Sequence, residues 1–473
     1  MRRLLAAATA LSLSACSLAP AYHVPATVVP ASYKEAGPWV AASPMDAGPR
    51  GAWWTMFADP ELSTLEERIE RDSPTLAAAL ARYDQARALA RQARADLFPQ
   101  AGLGAQAERA RSPATRPLSN GTASTYDFYS VGGSASYEVD LWGRIRNNIA
   151  SQRANAQASA EDLANTRLAL QSDLADAYFR LRGLDAQAEL LRQTVSAYQR
   201  AFNLTDTRHS GGIGTGLDVN RARTILAEAQ AQVNAVANAR AAVEHSIAAL
   251  VGVTPAAFSI QPIATMGQKD PPGVPLATPS VLLQRRPDIA AAERRVFGAN
   301  ARIGVARAAF FPSLTLGAGG GWETTGAALL SNPATYWALG PAQAALAILD
   351  GGRRAAQVRQ ARAAFDEAAA NYRSTVLGAF QEVEDQLAAG RELGAQEQSQ
   401  DEAATAAGRT QDLALTRYRE GASDYLEVVT AQTEALTAQR SAIAVRTQRL
   451  QAAVALVRAL GGGYGPAPGP AAN

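Results

Sequence analysis

The sequence has 473 residues, 19% of them charged, with 45 Lys and Arg against 43 Asp and Glu. The length allows two or three ordinary domains, and the balance becomes still closer to neutral if a leader carrying Arg2 and Arg3 is removed; a nucleic-acid binder, which needs a basic stripe, is excluded. Plentiful alanine, glutamine and arginine with only 6% aromatic residues favour long helices touching through small side chains.

The chain opens on a basic pair, Arg2-Arg3, an apolar run from Leu4 to Leu13 and the closing Leu13-Ser14-Ala15-Cys16. This is the layout of an export leader, and the run is too short to span a bilayer as a helix. Cys16 is the only cysteine, so a disulfide within one chain is excluded. The pattern resembles the bacterial lipoprotein box, which implies a signal peptide over 1–15 and lipidation of Cys16 by diacylglycerol and an N-acyl chain. The alternative is an apolar leader that contains a buried cysteine. By resemblance to that class, Ser17 after the cysteine favours outer-membrane sorting.

Residues 16–62 read as an extended arm rich in Pro, Ala, Ser and Gly. Trp53-Trp54-Thr55-Met56-Phe57 near its end either packs the arm onto the body or forms a membrane-interface belt; the polar turn Asp59-Pro60 that follows favours packing. Leu65 to Leu97 is mostly helical, with Pro74 where a new helix can start. Ala101–Arg109 and Tyr126–Leu141 are strand-length segments, each long enough to cross a bilayer if tilted. From 144 to about 208 there is no proline, and a helix there would be about 100 Å long. A return helix runs from Asp218 to Val251.

Gln261 to Pro279 is a Pro/Gly-rich linker, so the first repeat is taken as 63–260, the linker as 261–280, the second repeat as 281–460 and the tail, 461–473, as disordered. The second half repeats the order. A helix starting at Leu282-Leu283-Gln284-Arg285-Arg286-Pro287-Asp288-Ile289 leads to Phe310-Phe311-Pro312, which answers Leu97-Phe98-Pro99. Strand segments Ser313–Trp322 and Tyr336–Leu349 follow, and Asp350-Gly351-Gly352-Arg353 answers Leu141-Trp142-Gly143-Arg144. Phe365, Tyr372, Val376, Phe380, Val383 and Leu387 form one stripe; Val429, Leu436, Ile443, Leu450 and Val457 recur every seven residues, which implies left-handed supercoiling against a neighbour.

The turns between the long helices are the clearest sign of duplication. His209 to Ala222 matches Tyr418 to Ala431 at an offset of about 209 residues, with Gly212 on Gly421, Leu217 on Leu426 and Asp218 on Glu427. Each is the tip of a long helical hairpin. Each half therefore reads helix, strand pair, long helix, tip, return helix. Four strands cannot close a roomy barrel, whereas several copies can. The three histidines, His23, His209 and His245, offer no metal-ligand spacing, and no phosphate loop is present, so an enzyme reading has no residues to stand on.

This combination resembles the TolC-type outer-membrane efflux proteins, in their NodT-like lipoprotein branch. The resemblance is carried by Leu13 to Cys16, Trp53-Trp54…Phe57…Asp59-Pro60…Leu62, Leu282 to Ile289, Phe311-Pro312, Asp350 to Arg353 and Tyr418…Gly421…Tyr425-Leu426…Val428. It implies a mixed α/β outer membrane factor: a homotrimer whose four strands per chain make one 12-stranded barrel, continued by a long α-helical barrel. It further implies docking on a periplasmic membrane-fusion adaptor and an inner-membrane pump of the resistance-nodulation-division type, with outer-membrane lipid around the barrel and no cofactor beyond the lipid on Cys16. The cargo would be small molecules. The alternatives are a polypeptide duct of a type I secretion system and a lipid-anchored coiled-coil scaffold without a pore, in which the strand segments would be surface loops.

By the same resemblance the tips close the periplasmic end. Glu427 takes the position of one acidic ring residue and Asp218 is its partner from the first repeat. Leu426 matches an apolar gate position in some members, and Asp424 and Arg419 are candidates for tip salt bridges or adaptor contacts. Thr430 stands where the family usually has Asp, which puts the second ring in doubt. All of these also read as solvated tip residues. Gly212, Gly216 and Gly421 are expected adaptor contacts because bare backbone allows close approach; they also read simply as turn residues. Arg285, Arg286 and Asp288 are expected to be structural.

Overall fold

The structure, a computed structural model, describes residues 17–35, 51–115, 121–263, 271–273, 285–325 and 334–462. Cys16, Leu282 to Gln284, most of the linker and nearly all of the tail lie outside the described residues. In chain order the elements are a 3-10 turn at Trp53–Phe57, α1 Pro60–Asp72, α2 Pro74–Ala95, β1 Gln100–Ser112, β2 Ser124–Val139, α3 Arg144–Ser210 and α4 Gly216–Leu250. A second 3-10 turn at Pro255–Ala257 is followed by α5 Pro287–Ala308, β3 Ser313–Thr325, β4 Ala334–Ala345, α6 Arg353–Arg419 and α7 Tyr425–Ala459. The order helix, strand pair, 67-residue helix, tip, 35-residue helix occurs twice.

The chain divides into two compact units. One draws on Met1–Ala26, Ala81–Ala160 and Ala291–Arg373, the other on Thr27–Leu80, Glu161–Ala290 and Ser374–Asn473. The first unit holds the sheet. Its strands pair antiparallel in the order β1-β2-β3-β4, with a register shift between Leu316 and Ala318. The segments expected to be strands are therefore strands, not surface loops, and the scaffold alternative loses its premise. Two bounds move. β2 ends at Val139 rather than Leu141, and β4 at Ala345 rather than Leu349. The physical reason is a carboxylate at each exit from the sheet. Asp140 accepts the backbone N–H groups of Ile145 and Arg146 and the Arg146 guanidinium; Asp350 accepts the N–H groups of Gly352 and Arg354 and the Arg354 guanidinium. Each carboxylate turns the chain into the first turn of a long helix, where the helix dipole favours negative charge. Asp350 thus answers Asp140.

The arm also enters this unit. Asn300 Nδ2 donates to Pro20 O at 2.9 Å, Arg307 Nη1 to Leu18 O at 3.2 Å and Ser17 Oγ to Asn147 Oδ1 at 2.9 Å. Tyr22 stands edge-on to Phe297 with ring centroids 5.1 Å apart and donates to Glu293.

In the second unit Trp53, Trp54 and Phe57 are buried, and Phe57 lies 4.9 Å from the Phe179 ring, so the aromatic cluster packs the arm. Asp59-Pro60 is not a free turn. Asp59 caps α1 by accepting from Glu61 N and Leu62 N, Pro60 takes the first helical position, and the helix begins five residues before Leu65. Arg286 is buried and forked onto Asp288 at 3.0 and 2.6 Å; it also donates to Glu382 and to Ala459 O, which joins the start of α5 to α6 and α7. Val376, Phe380, Val383 and Leu387 are buried as one stripe. On α7 Tyr425, Val428 and Ala435 are buried; of the seven-residue repeat Leu450 and Val457 are buried, while Val429, Leu436 and Ile443 are half-buried.

Candidate functional site

The two hairpin tips lie in the second unit and are built alike. α3 ends in a Schellman motif: Gly212 at φ +77° donates its N–H to His209 O at 2.9 Å, and Ile213 N–H reaches Arg208 O at 2.8 Å. α6 ends the same way, with Gly421 at φ +80°, Gly421 N–H on Tyr418 O at 3.0 Å and Ala422 N–H on Arg417 O at 2.8 Å. The next helix then starts on a side-chain cap. Thr215 accepts from Asp218 N–H at 3.2 Å and donates to Asp218 Oδ2 at 2.7 Å; Asp424 accepts from Glu427 N–H at 3.1 Å. Gly216 is the first residue of α4 and has His209 Cε1 3.7 Å from where a Cβ would stand, whereas its counterpart in the second tip is Tyr425.

The tips are also fastened to each other. Tyr418 and Tyr425, ring centroids 5.2 Å apart, are buried with Ala201, Ala222 and Val428. Arg208 lies 4.8 Å over the Tyr418 ring and donates to Tyr418 O at 2.6 Å. Tyr198 Oη donates to Gln432 O at 3.1 Å, and burial pushes its phenol up to about 12. Burial likewise raises the Tyr425 phenol, so both rings stay neutral at physiological pH.

Around this core the expected gate residues are distributed as follows. Glu427 is exposed and pairs with Arg417 at 3.2 Å; Asp218 is less exposed, held by Thr215 and 3.8 Å from Arg221. Leu426 is exposed, as are Leu217 and Ile213 on the first tip. Asp424 is spent on capping α7, and Arg419 is the exposed last residue of α6. Thr430 donates back to Leu426 O at 3.0 Å. Sequence reasoning passed over Arg208 and Arg417. The two sit about 209 residues apart, so extending the internal alignment one residue ahead of His209 finds the pair. They do different work, since Arg208 crosses to the other hairpin and Arg417 stays in its own.

The sheet supplies the second functional surface. Its registers put Leu103, Gly133, Gly320 and Trp337 in one row and Ala105, Val131, Trp322 and Thr335 in another on the same face. On this face Leu103 is 93% and Trp337 84% exposed to the surroundings of a single chain. The opposite face carries Gln106, Glu108, Ser130, Ser134, Ser136, Thr315, Glu323 and Gln343 among glycines. An apolar face and a polar face on strands of 12 to 16 residues are what a membrane barrel wall requires. Both outer strands, β1 and β4, have one unpaired edge within the chain. Among the described residues no helix is long and apolar enough to cross a membrane.

Known proteins carry the same layout. The profile of the outer membrane efflux protein family matches residues 65–253 and 278–462, one match in each repeat. The toluene efflux pump outer membrane protein TtgC of Pseudomonas putida is 32% identical over 97% of this chain and 95% of its own length. Outer membrane protein OprJ of Pseudomonas aeruginosa is 34% identical over 96% and 94%. The solved structure of the outer-membrane channel OprN superposes with a TM-score of 0.88 at 30% identity, covering 95% of this chain and 100% of that one. Sheet, hairpins and relatives agree: the chain belongs to the outer membrane efflux protein family and is an outer-membrane duct of a Gram-negative efflux pump, not an enzyme.

Proposed function

We propose that three copies of this chain form one closed channel, that the hairpin tips are its periplasmic gate, and that a periplasmic adaptor docks there and connects it to an inner-membrane pump of the resistance-nodulation-division type. The observation that carries this reading is a sheet with one apolar and one polar face and a free edge on each side. A membrane leaves no water to satisfy such edges, so β4 of one copy pairs with β1 of the next until the cylinder closes. Three four-stranded sheets make twelve strands, enough to enclose an aqueous bore. The relatives named for toluene and antibiotic efflux support small-molecule cargo.

At the tips, threefold symmetry brings three Glu427 carboxylates and three Asp218 carboxylates around one axis, with Leu426 beside them. Like charges held close repel and attract cations, and Arg417 offsets part of that charge in the closed form. Gly212, Gly216, Gly421 and Arg419 form the surface for an adaptor hairpin, with the exposed Ile213 and Leu217 adding apolar area. Lipid on Cys16 fits the course of the arm, because the chain just past it, Ser17 to Tyr22, is tied into the unit that holds the sheet.

Single-channel recording in planar bilayers tests the gate. Replacing Glu427 by alanine is expected to lower cation over anion preference about twofold. A variant indistinguishable from wild type in both conductance and selectivity removes Glu427 from the gate.

A further inference from the structure

The polar face of the sheet has one row in which a large ring meets positions with no side chain. Gly104, Gly132, Gly321 and Tyr336 stand opposite one another from β1 to β4. Tyr336 belongs to β4, yet a Cβ placed on Gly132 of β2 would fall 2.6 Å from the Tyr336 hydroxyl. Neighbouring strands are about 4.8 Å apart and β3 lies between β2 and β4, so the phenol has to extend across β3 and most of the way to β2 to reach that point. It can do so only by lying down across β3 at Gly321. An upright tyrosine would hold its hydroxyl away from the sheet. The glycines alone would say little; the position of the hydroxyl says that the ring uses the space they leave.

We propose that Tyr336 sets the calibre of the membrane part of the duct. It is parked flat in a seat made by Gly132 and Gly321, and the seat keeps the bore open. This rests on the trimeric-duct reading, in which the polar face lines water. Lying flat, the phenol adds one ring thickness to the wall. Standing up, it adds its full length, and threefold symmetry places three such rings at one level. Phe128 shares the polar face, but no glycine of β3 receives it: it stands opposite Thr325. A side chain on Gly132 is therefore a lever on Tyr336. Conductance should respond to a side chain at Gly132 only while Tyr336 is present.

The test is a double-mutant cycle read as single-channel conductance of the purified full-length protein. Gly132→Ala evicts the hydroxyl and is expected to reduce conductance about twofold, Tyr336→Ala to conduct at least as well as wild type, and the double variant to return to the Tyr336→Ala value. The same added Cβ would lie 3.0 Å from Gly320 O, so Gly132→Ala can fail to assemble. Tyr336→Cys covers that case. A water-soluble cationic methanethiosulfonate reagent reacts with its thiolate, which displaces sulfinate and forms a mixed disulfide. Conductance then falls in Tyr336→Cys, but not in Trp337→Cys on the opposite face nor in wild type. A Gly132→Ala channel that conducts like wild type, a double variant that stays low, or a Tyr336→Cys channel indifferent to the reagent overturns the proposal while the duct reading stands. A wild-type protein that forms no channel removes the duct reading and this inference with it.

Discussion

Replacing Arg182 by methionine should lower the stability of the helical unit by about 3–5 kcal/mol, because it strips a buried carboxylate of half its compensation. Asp185 is 0% exposed, with Arg182 Nη1 on one oxygen at 2.9 Å and Arg240 Nε on the other at 2.6 Å. Arg182 also pairs with Glu61 of α1, donates to Gln261 O at 2.8 Å and lies 4.9 Å over the Tyr178 ring; Arg240 reaches Ile260 O at 2.6 Å. One cluster thus joins α1, α3, α4 and the chain after α4. Methionine fills much of the volume but leaves Asp185 a charge that Arg240 alone must balance. Adding Asp185→Asn to Arg182→Met should recover part of the loss, since the residual charge is gone. Denaturant unfolding in detergent, followed by the fluorescence of the nearby buried Trp53, checks both. A shift in Arg182→Met no larger than that of an exposed arginine such as Arg192 contradicts the account.

The second large effect is expected at Gly421. Valine there should cost about 1–3 kcal/mol locally and abolish efflux, while the protein still reaches the membrane. The φ of +80° is strained for a β-branched residue, yet little surrounds the position, with Arg208 Nη2 3.9 Å from a Cβ. The penalty is therefore one of backbone conformation, and it falls on the two hydrogen bonds that close α6. Asparagine separates the two roles of this glycine because it tolerates the left-handed region. If Gly421 only turns the chain, Gly421→Asn restores drug resistance in a complementation assay. If the adaptor needs bare backbone, Gly421→Asn folds like wild type and still fails to restore resistance. Valine at Gly421 with full resistance would contradict both roles.

The features that were legible in the sequence are those that permit few residue types. A Schellman turn needs a residue that accepts positive φ, so Gly212 and Gly421 announced both tips. Gly252 and Gly461, also at positive φ, close α4 and α7 in the same register. Pro287 opens α5 inside the run where a helix start is expected, whereas Pro60, which reads as part of a polar turn, hides the start of α1. The ends of β2 and β4 were overrun because apolar residues continue past the pairing: Leu141 in one case and Leu346, Ile348 and Leu349 in the other. There the Asp140 and Asp350 clips, not hydrophobic pattern, stop the strand. The fastening of one tip to the other was hidden for a different reason. Arg208 on Tyr418 and Tyr198 on Gln432 join residues more than two hundred positions apart, and no local periodicity encodes such a contact. The glycine seat of Tyr336 was invisible until the strand register put Gly132 and Gly321 in its row.

A closed barrel requires several chains to pool their sheets, so the native mass of the detergent-extracted particle is the most direct measurement of it. Three chains, each a little lighter than the 49.5 kDa of the full sequence once the leader is removed, together with β-sheet that stays protected from water-soluble labels in liposomes, is the predicted result. A monomeric particle whose strands are fully labelled from the aqueous phase would contradict it.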